Sequence, residues 1–341
     1  MRKLIPLLLL VLLTFCSNES GVEEDITISV IPKGTTHVFW QSVHAGAIKA
    51  STELGVKINW VGTVKEDDRQ LQIALVDNQV MNQVSGILLA PSDDMAMRRP
   101  VNSAMEKNVP VVIYDSAINL PEDGYVSFVA TDNYKGGYIA GEALAELLDS
   151  NGRVILLRYM EGSASTENRE RGFLDAISKV PGIELVSDEQ YAGSTTAQAQ
   201  QASENLLFRF RDRDGNLTID GIFCPNESST FGMLQALRRG RYEGDVKFVG
   251  FDSSPPLIEG LQNGEIHGLV VQNPFNMGYI GVHTLVDHLK EVEVPKRIDT
   301  GVTLVTPESM NDEAIQELIL IWKNGSIWKT TEPICKIKLS S

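Results

Sequence analysis

From Ile26 almost to its end, the chain alternates short apolar, β-branched runs with longer amphipathic stretches. A run with no polar alternation must be buried on both faces, and a helix-length insert lets the next strand lie parallel to it. This pattern predicts an α/β fold of doubly wound parallel sheets. One series of strand candidates comprises Ile26 to Ile31, Val56 to Val61, Gly86 to Ala90, Pro110 to Asp115 and Tyr125 to Thr131. A second comprises Arg153 to Tyr159, Ile183 to Tyr191, Gly221 to Pro225, Val246 to Asp252, His267 to Gln272 and Ile298 to Val305. Two series in 341 residues, more than one core comfortably holds, predict two lobes, each with its own sheet.

The N-terminus reads differently. Arg2 and Lys3 precede the apolar run Leu4 to Leu13, which is short for a membrane span but suits a secretory signal over 1–15. Leu13-Thr14-Phe15-Cys16 resembles the bacterial lipoprotein box, with Phe15 where a small residue is usual, so acylation of Cys16 is expected. The polar stretch 16–25 is then a tether. A Cys224–Cys335 disulfide stays open from sequence, and no cysteine or histidine spacing suits a metal. With 30 basic and 45 acidic residues, the chain is a poor partner for nucleic acid.

In a doubly wound sheet the ligand lies beyond the carboxyl ends of the strands. Those ends read Tyr114-Asp115, Pro225-Asn226, Phe251-Asp252 and Gln272-Asn273. Such planar acceptors and donors suit vicinal hydroxyls, although each alone also suits a helix cap or turn. Lys33 to Trp40 adds the adjacent aromatics Phe39 and Trp40 beside His37 and Thr36, at the handover from the first strand to a helix. An aromatic face with neighbouring polar groups fits a sugar, with its apolar C–H face and hydroxyl rim. Trp40, Val43, Ala47, Ala50 and Leu54 also repeat at helical spacing, so helix packing competes for Trp40. The stretch Asp212-Arg213-Asp214-Gly215-Asn216 looks like a calcium loop, but its glycine comes too early, and a polar turn is expected.

Several motifs fall in a telling order: Thr131-Asp132-Asn133 with Gly136-Gly137, then Arg169-Glu170-Arg171-Gly172-Phe173, Val249-Gly250-Phe251-Asp252 and Val271-Gln272. In that order, from about Ile26 to Glu317, the chain resembles the ribose-type family of periplasmic sugar-binding proteins, the substrate-capturing components of ABC importers. The resemblance implies two lobes joined by a three-segment hinge, with 26–131 and 273–301 in the first and 132–272 and 302–325 in the second. Residues 326–341 are left as a C-terminal extension. It implies ligand contacts from His37, Phe39, Trp40, Asp115, Thr131, Arg171, Asn226, Asp252 and Gln272, with Asp115 and Arg171 the strongest. It also implies a monomer in the periplasm or cell envelope that delivers a small sugar or polyol to an ABC permease, without cofactor or metal.

The chain departs from the ribose pattern at Ala90 and at Ser116, where that family places an asparagine and an arginine. It also shows no evident second-lobe aromatic around Ala192 to Thr195, so the sugar is left open. An alternative use of the same fold is sensing, with the closed form presented to a chemoreceptor or sensor kinase. An enzymatic role for Asp115 and Asp252 as paired carboxylates lacks any accompanying nucleophile elbow, phosphate loop or metal motif.

Overall fold

A computed structural model describes residues 26–319. The expected signal, Cys16, the tether, Cys335 and the extension over 326–341 lie outside the described residues. Within them the chain forms β1 (Thr27–Ile31), β2 (Lys57–Trp60), β3 (Gly86–Leu89), β4 (Val111–Tyr114), β5 (Ser127–Ala130) and β6 (Gly152–Leu156). It continues with β7 (Ile183–Ser187), β8 (Gly221–Phe223), β9 (Lys247–Phe251), β10 (Gly268–Gln272), β11 (Arg297–Asp299) and β12 (Val302–Val305).

These strands build two sheets, one ordered β2-β1-β3-β4-β5-β11 and the other β7-β6-β8-β9-β10-β12. The first is parallel throughout. In the second, only β12 runs antiparallel, against β10. The central strands β3, β4 and β10 are buried along their whole length, as strands covered on both faces must be.

Helices α1 (Val38–Leu54), α2 (Arg69–Met81) and α3 (Arg98–Glu106) belong to the first lobe. The second carries α4 (Asn133–Leu147), α5 (Ala164–Ile177), α6 (Thr196–Arg209), α7 (Glu227–Gly240) and α8 (Pro255–Gln262). Helix α9 (Pro274–Leu289) returns to pack on α1, and α10 (Glu313–Ile319) lies against β10. Separate apolar clusters fill the two lobes, with Leu88, Val112 and Val282 in one and Phe248, Leu269 and Met233 in the other.

The stretch expected as one strand, Ile298 to Val305, is two. The chain leaves the first sheet after Asp299 and enters the second at Val302, turning at Gly301 with φ of 84°. A left-handed turn there favours glycine, and it lets one short segment serve both sheets. The chain also changes sheets after β5 and after β10, so three strands of backbone connect the lobes. Thr131 sits among them: its hydroxyl donates to the Gly301 carbonyl at 3.0 Å and lies 3.4 Å from that of Thr300. The Asp212–Asn216 stretch is a polar turn in which Asp212 Oδ1 accepts from the amides of Asp214 and Asn216, both at 2.9 Å.

Helices α4 and α5 cross backbone to backbone. A Cβ on Gly137 would overlap the carbonyl of Arg169, and one on Gly172 would overlap that of Tyr134. Substituting Gly137→Ala is expected to destabilise the protein by about 1–3 kcal/mol through overpacking, measured as a lower urea midpoint with little change in m.

Candidate ligand-binding cleft

The strands aim their carboxyl ends at the gap between the lobes. Asp115 follows β4 and Asp252 follows β9, and both take left-handed backbone conformations, with φ of 59° and 74°. Such a conformation is uncommon for a residue with a side chain and is tolerated where the surroundings hold it. Each is pinned by its amide, Asp115 to the Val129 carbonyl at 3.1 Å and Asp252 to the Val270 carbonyl at 2.9 Å. The result is one inward carboxylate from each lobe. Between them lies a cavity lined by side chains of both lobes.

Arg169, on α5, organises the second-lobe side. It is buried, with its Nε donating to Asn133 at 2.8 Å, Nη1 to the Pro225 carbonyl at 2.9 Å and Nη2 to Gln272 at 3.0 Å. Its guanidinium lies 3.9 Å from the Phe251 ring centroid and 4.0 Å from an oxygen of Asp115. Burial lowers the Arg169 pKa, opposed by the carboxylates of Asp252, Asp115 and Glu66. Asp252 shifts the other way: burial raises its pKa, opposed by Arg169, a 2.7 Å bond from Gln272 and a 2.9 Å bond from the Glu227 amide.

The first-lobe side centres on Glu66. One of its oxygens accepts from Trp40 Nε1 and pairs with His37 Nδ1, both at 2.7 Å, and the other accepts from the Tyr159 hydroxyl at 2.8 Å. Burial works against both charges of the His37–Glu66 pair. Their mutual attraction and hydrogen bond prevail, holding His37 up at about 9 and Glu66 down at about 2. Lys33, at the end of β1, pairs with Asp115 at 3.0 Å and donates to Ser165 at 2.8 Å in the opposite lobe.

The structure therefore brings His37, Phe39, Trp40, Asp115, Asn226, Asp252 and Gln272 to one cavity wall. Phe39 and Trp40 meet edge to face at 4.8 Å, belong to the first-lobe core and also line the cavity, so helix packing accounts for their placement. Asn226 spends its side chain in a capping box with Ser229 at the start of α7, which fixes the edge of the cavity.

Two expected contacts lie elsewhere. Arg171 is on the exposed face of α5, bonded to Asn168 at 2.6 Å and lying over the Tyr134 ring. The inward arginine is Arg169, because Thr166, Arg169, Phe173 and Ala176 form the buried stripe of this helix. Thr131 is buried in the hinge, where it binds backbone.

Sequence reasoning missed Lys33, Glu66, Tyr159, Arg169 and Glu227. Tyr159, at the carboxyl end of a predicted strand, supplies a second-lobe aromatic that lies outside the Ala192 to Thr195 stretch. Lys33 supplies a cation beside Asp115, where Ser116 replaces the arginine of the ribose pattern.

Two lobes with a hinge of three crossings and a polar, aromatic-walled cavity at their strand ends define a two-lobed ligand-capturing protein. The chain belongs to the periplasmic binding protein domain family, whose model matches residues 28–293. It is 27% identical over 306 residues to the ribose import binding protein of Haemophilus influenzae, covering 90% of this chain and 100% of that one. A carbohydrate transporter solute-binding protein from Agrobacterium radiobacter, solved with D-arabinose, superposes with a TM-score of 0.82 at 34% identity, covering 87% of this chain and 99% of that one. An ABC transporter solute-binding protein from Agrobacterium vitis with D-fucose gives 0.81 at 32% identity, covering 86% and 99%.

The His37–Glu66 pair sets a pH window. His37 is raised on folding, so its contribution is complete below about pH 6.5 and is lost as pH rises through about 9. Glu66 is lowered, so its contribution is complete above about pH 4.5 and is lost as pH falls towards about 2. The protein should lose stability between pH 6.5 and 9 in thermal melts, and His37→Gln should be less stable at neutral pH but flatter across that window. An unchanged slope in the variant would show that the pair is not responsible.

Proposed function

We propose that the protein captures a small neutral sugar or polyol between its closing lobes and delivers it to an ABC permease. The observation that carries this reading is the cavity itself: Asp115 from one lobe faces Arg169 and Asp252 from the other, beside the Phe39 and Trp40 wall. Carboxylates accept from hydroxyl pairs and the guanidinium donates back, while the rings cover the apolar face of the sugar. Oppositely charged groups within one cleft suit a neutral ligand, because a net charge on it would leave one set of them unbalanced. A monosaccharide is the ligand class held by structural relatives, one solved with D-arabinose and another with D-fucose.

Enclosure supplies the affinity. When the lobes close, water leaves the cavity and each charge-assisted bond strengthens in the drier surroundings. The periplasm or cell envelope is the compartment that this role implies, with Cys16 as a lipid anchor and the monomer as the working unit. Loss of labelled sugar uptake on gene deletion would support transport. Retained uptake with lost induction would instead favour sensing.

A calorimetric or thermal-shift screen of pentoses, hexoses and polyols, beginning with D-arabinose and D-fucose, is expected to give at least one ligand of micromolar affinity or better. No response to any of them would sink the sugar assignment. With a ligand in hand, Arg169→Gln is expected to weaken binding about 100-fold or more, because it leaves buried carboxylates unbalanced. Arg171→Ala should stay within about twofold, since that side chain faces solvent. Equal losses in the two variants would contradict the placement of the inward arginine.

A further inference from the structure

Helix α1 begins in the cleft without a cap of its own. Its N-cap residue, His37, makes no side-chain capping bond, and no acidic residue stands in its first turn. A helix start leaves amide donors unpaired, and a carboxylate there is favoured by both hydrogen bonding and the helix dipole. Here the carboxylate comes from the other lobe. Glu227 Oε1 accepts from the amide of Val38 at 3.3 Å and Oε2 from that of Phe39 at 3.1 Å.

Glu227 is at liberty to reach across because its own helix is provided for. Asn226 and Ser229 close a capping box on α7, and the Glu227 amide donates to Asp252. Its side chain is therefore not needed for capping bonds on α7 and is matched to the amides of α1. The partners lie 188 and 189 residues apart and hang from different sheets, so the bonds exist only while the lobes are together.

We propose that Glu227 is a closure-determining residue: it caps α1 in trans across the cleft, so that closing the lobes completes a helix that opening leaves uncapped. This rests on the reading of the cleft as one that opens and closes, and it adds a term that does not depend on which ligand is bound. Other lobe-to-lobe bonds, from the Asp94 amide to the Gly162 carbonyl and from the Ser165 amide to Ser116 Oγ, both at 3.1 Å, do not involve Glu227 and report closure separately.

Amide hydrogen exchange followed by NMR on the ligand-free, full-length protein tests this. In Glu227→Ala, exchange at Val38, Phe39, Asp94 and Ser165 is expected to accelerate together by about five- to tenfold, the loss typical of a cap. Core amides such as Leu88 and Val249 should keep their rates. Glu227→Gln, which retains one acceptor oxygen, should show a smaller change at the same four positions. Acceleration confined to Val38 and Phe39 would make Glu227 a local cap with no hold on the lobes, and that result overturns the proposal. Unchanged rates, or equal acceleration at Leu88 and Val249, overturn it too. No sugar enters the experiment, so a failed ligand screen leaves its outcome readable.

Discussion

The Arg169 guanidinium is the interaction on which the rest of the cleft depends. It ties α5 to the start of α4 through Asn133, to the end of β8 through the Pro225 carbonyl and to the end of β10 through Gln272. A buried cation with these bonds holds several separate segments in one register, and its flat face rests on Phe251. The close crossing of α4 and α5 at Gly137 sets its backbone, since the carbonyl that Gly137 packs against is that of Arg169 itself. Packing deep in the second lobe therefore fixes a charge in the cleft to within the tolerance that recognition needs.

Around that cation the cleft alternates sign. Lys33 and Arg169 flank Asp115, His37 pairs with Glu66, and Asp252 is held by Gln272 and by the Glu227 amide. Each of these charges has a protein partner, and Glu227 adds a fourth carboxylate held by the Val38 and Phe39 amides, which limits the desolvation cost of closing the lobes. The acidity of the whole chain, net −15, does not set recognition, which rests on these local groups.

Much of this was legible in the sequence. Uninterrupted apolar runs identified the buried strands, and the polar residues at their ends identified Asp115, Asp252 and Gln272, because a doubly wound sheet has a single ligand-facing edge. Arg169 was legible as well but was passed over. The buried stripe of α5 at Thr166, Arg169, Phe173 and Ala176 follows helical spacing, and Arg171 falls outside it. Glu66 and Glu227 were not legible in this way. Glu66 lies in a loop, and Glu227 takes its meaning from amides in the opposite lobe, which no local pattern in the sequence records.

The two aspartates show how rigidity and motion are divided. Each is set in a left-handed turn with its amide bonded to a neighbouring strand, and its carboxylate is held separately, Asp115 by Lys33 and Asp252 by Gln272 and the Glu227 amide. The adjustable coordinate is then the separation of the lobes, carried by three crossings that include Thr131 and Gly301. Thr131 bonds one crossing to another, which couples the two segments where the lobes join. A ligand shifts such an equilibrium by what it binds in the closed form beyond what it binds in the open one. The pairs that join the lobes, Lys33 with Ser165 and Glu66 with Tyr159, are made between protein groups, so in the closed form the contacts of a sugar add to theirs.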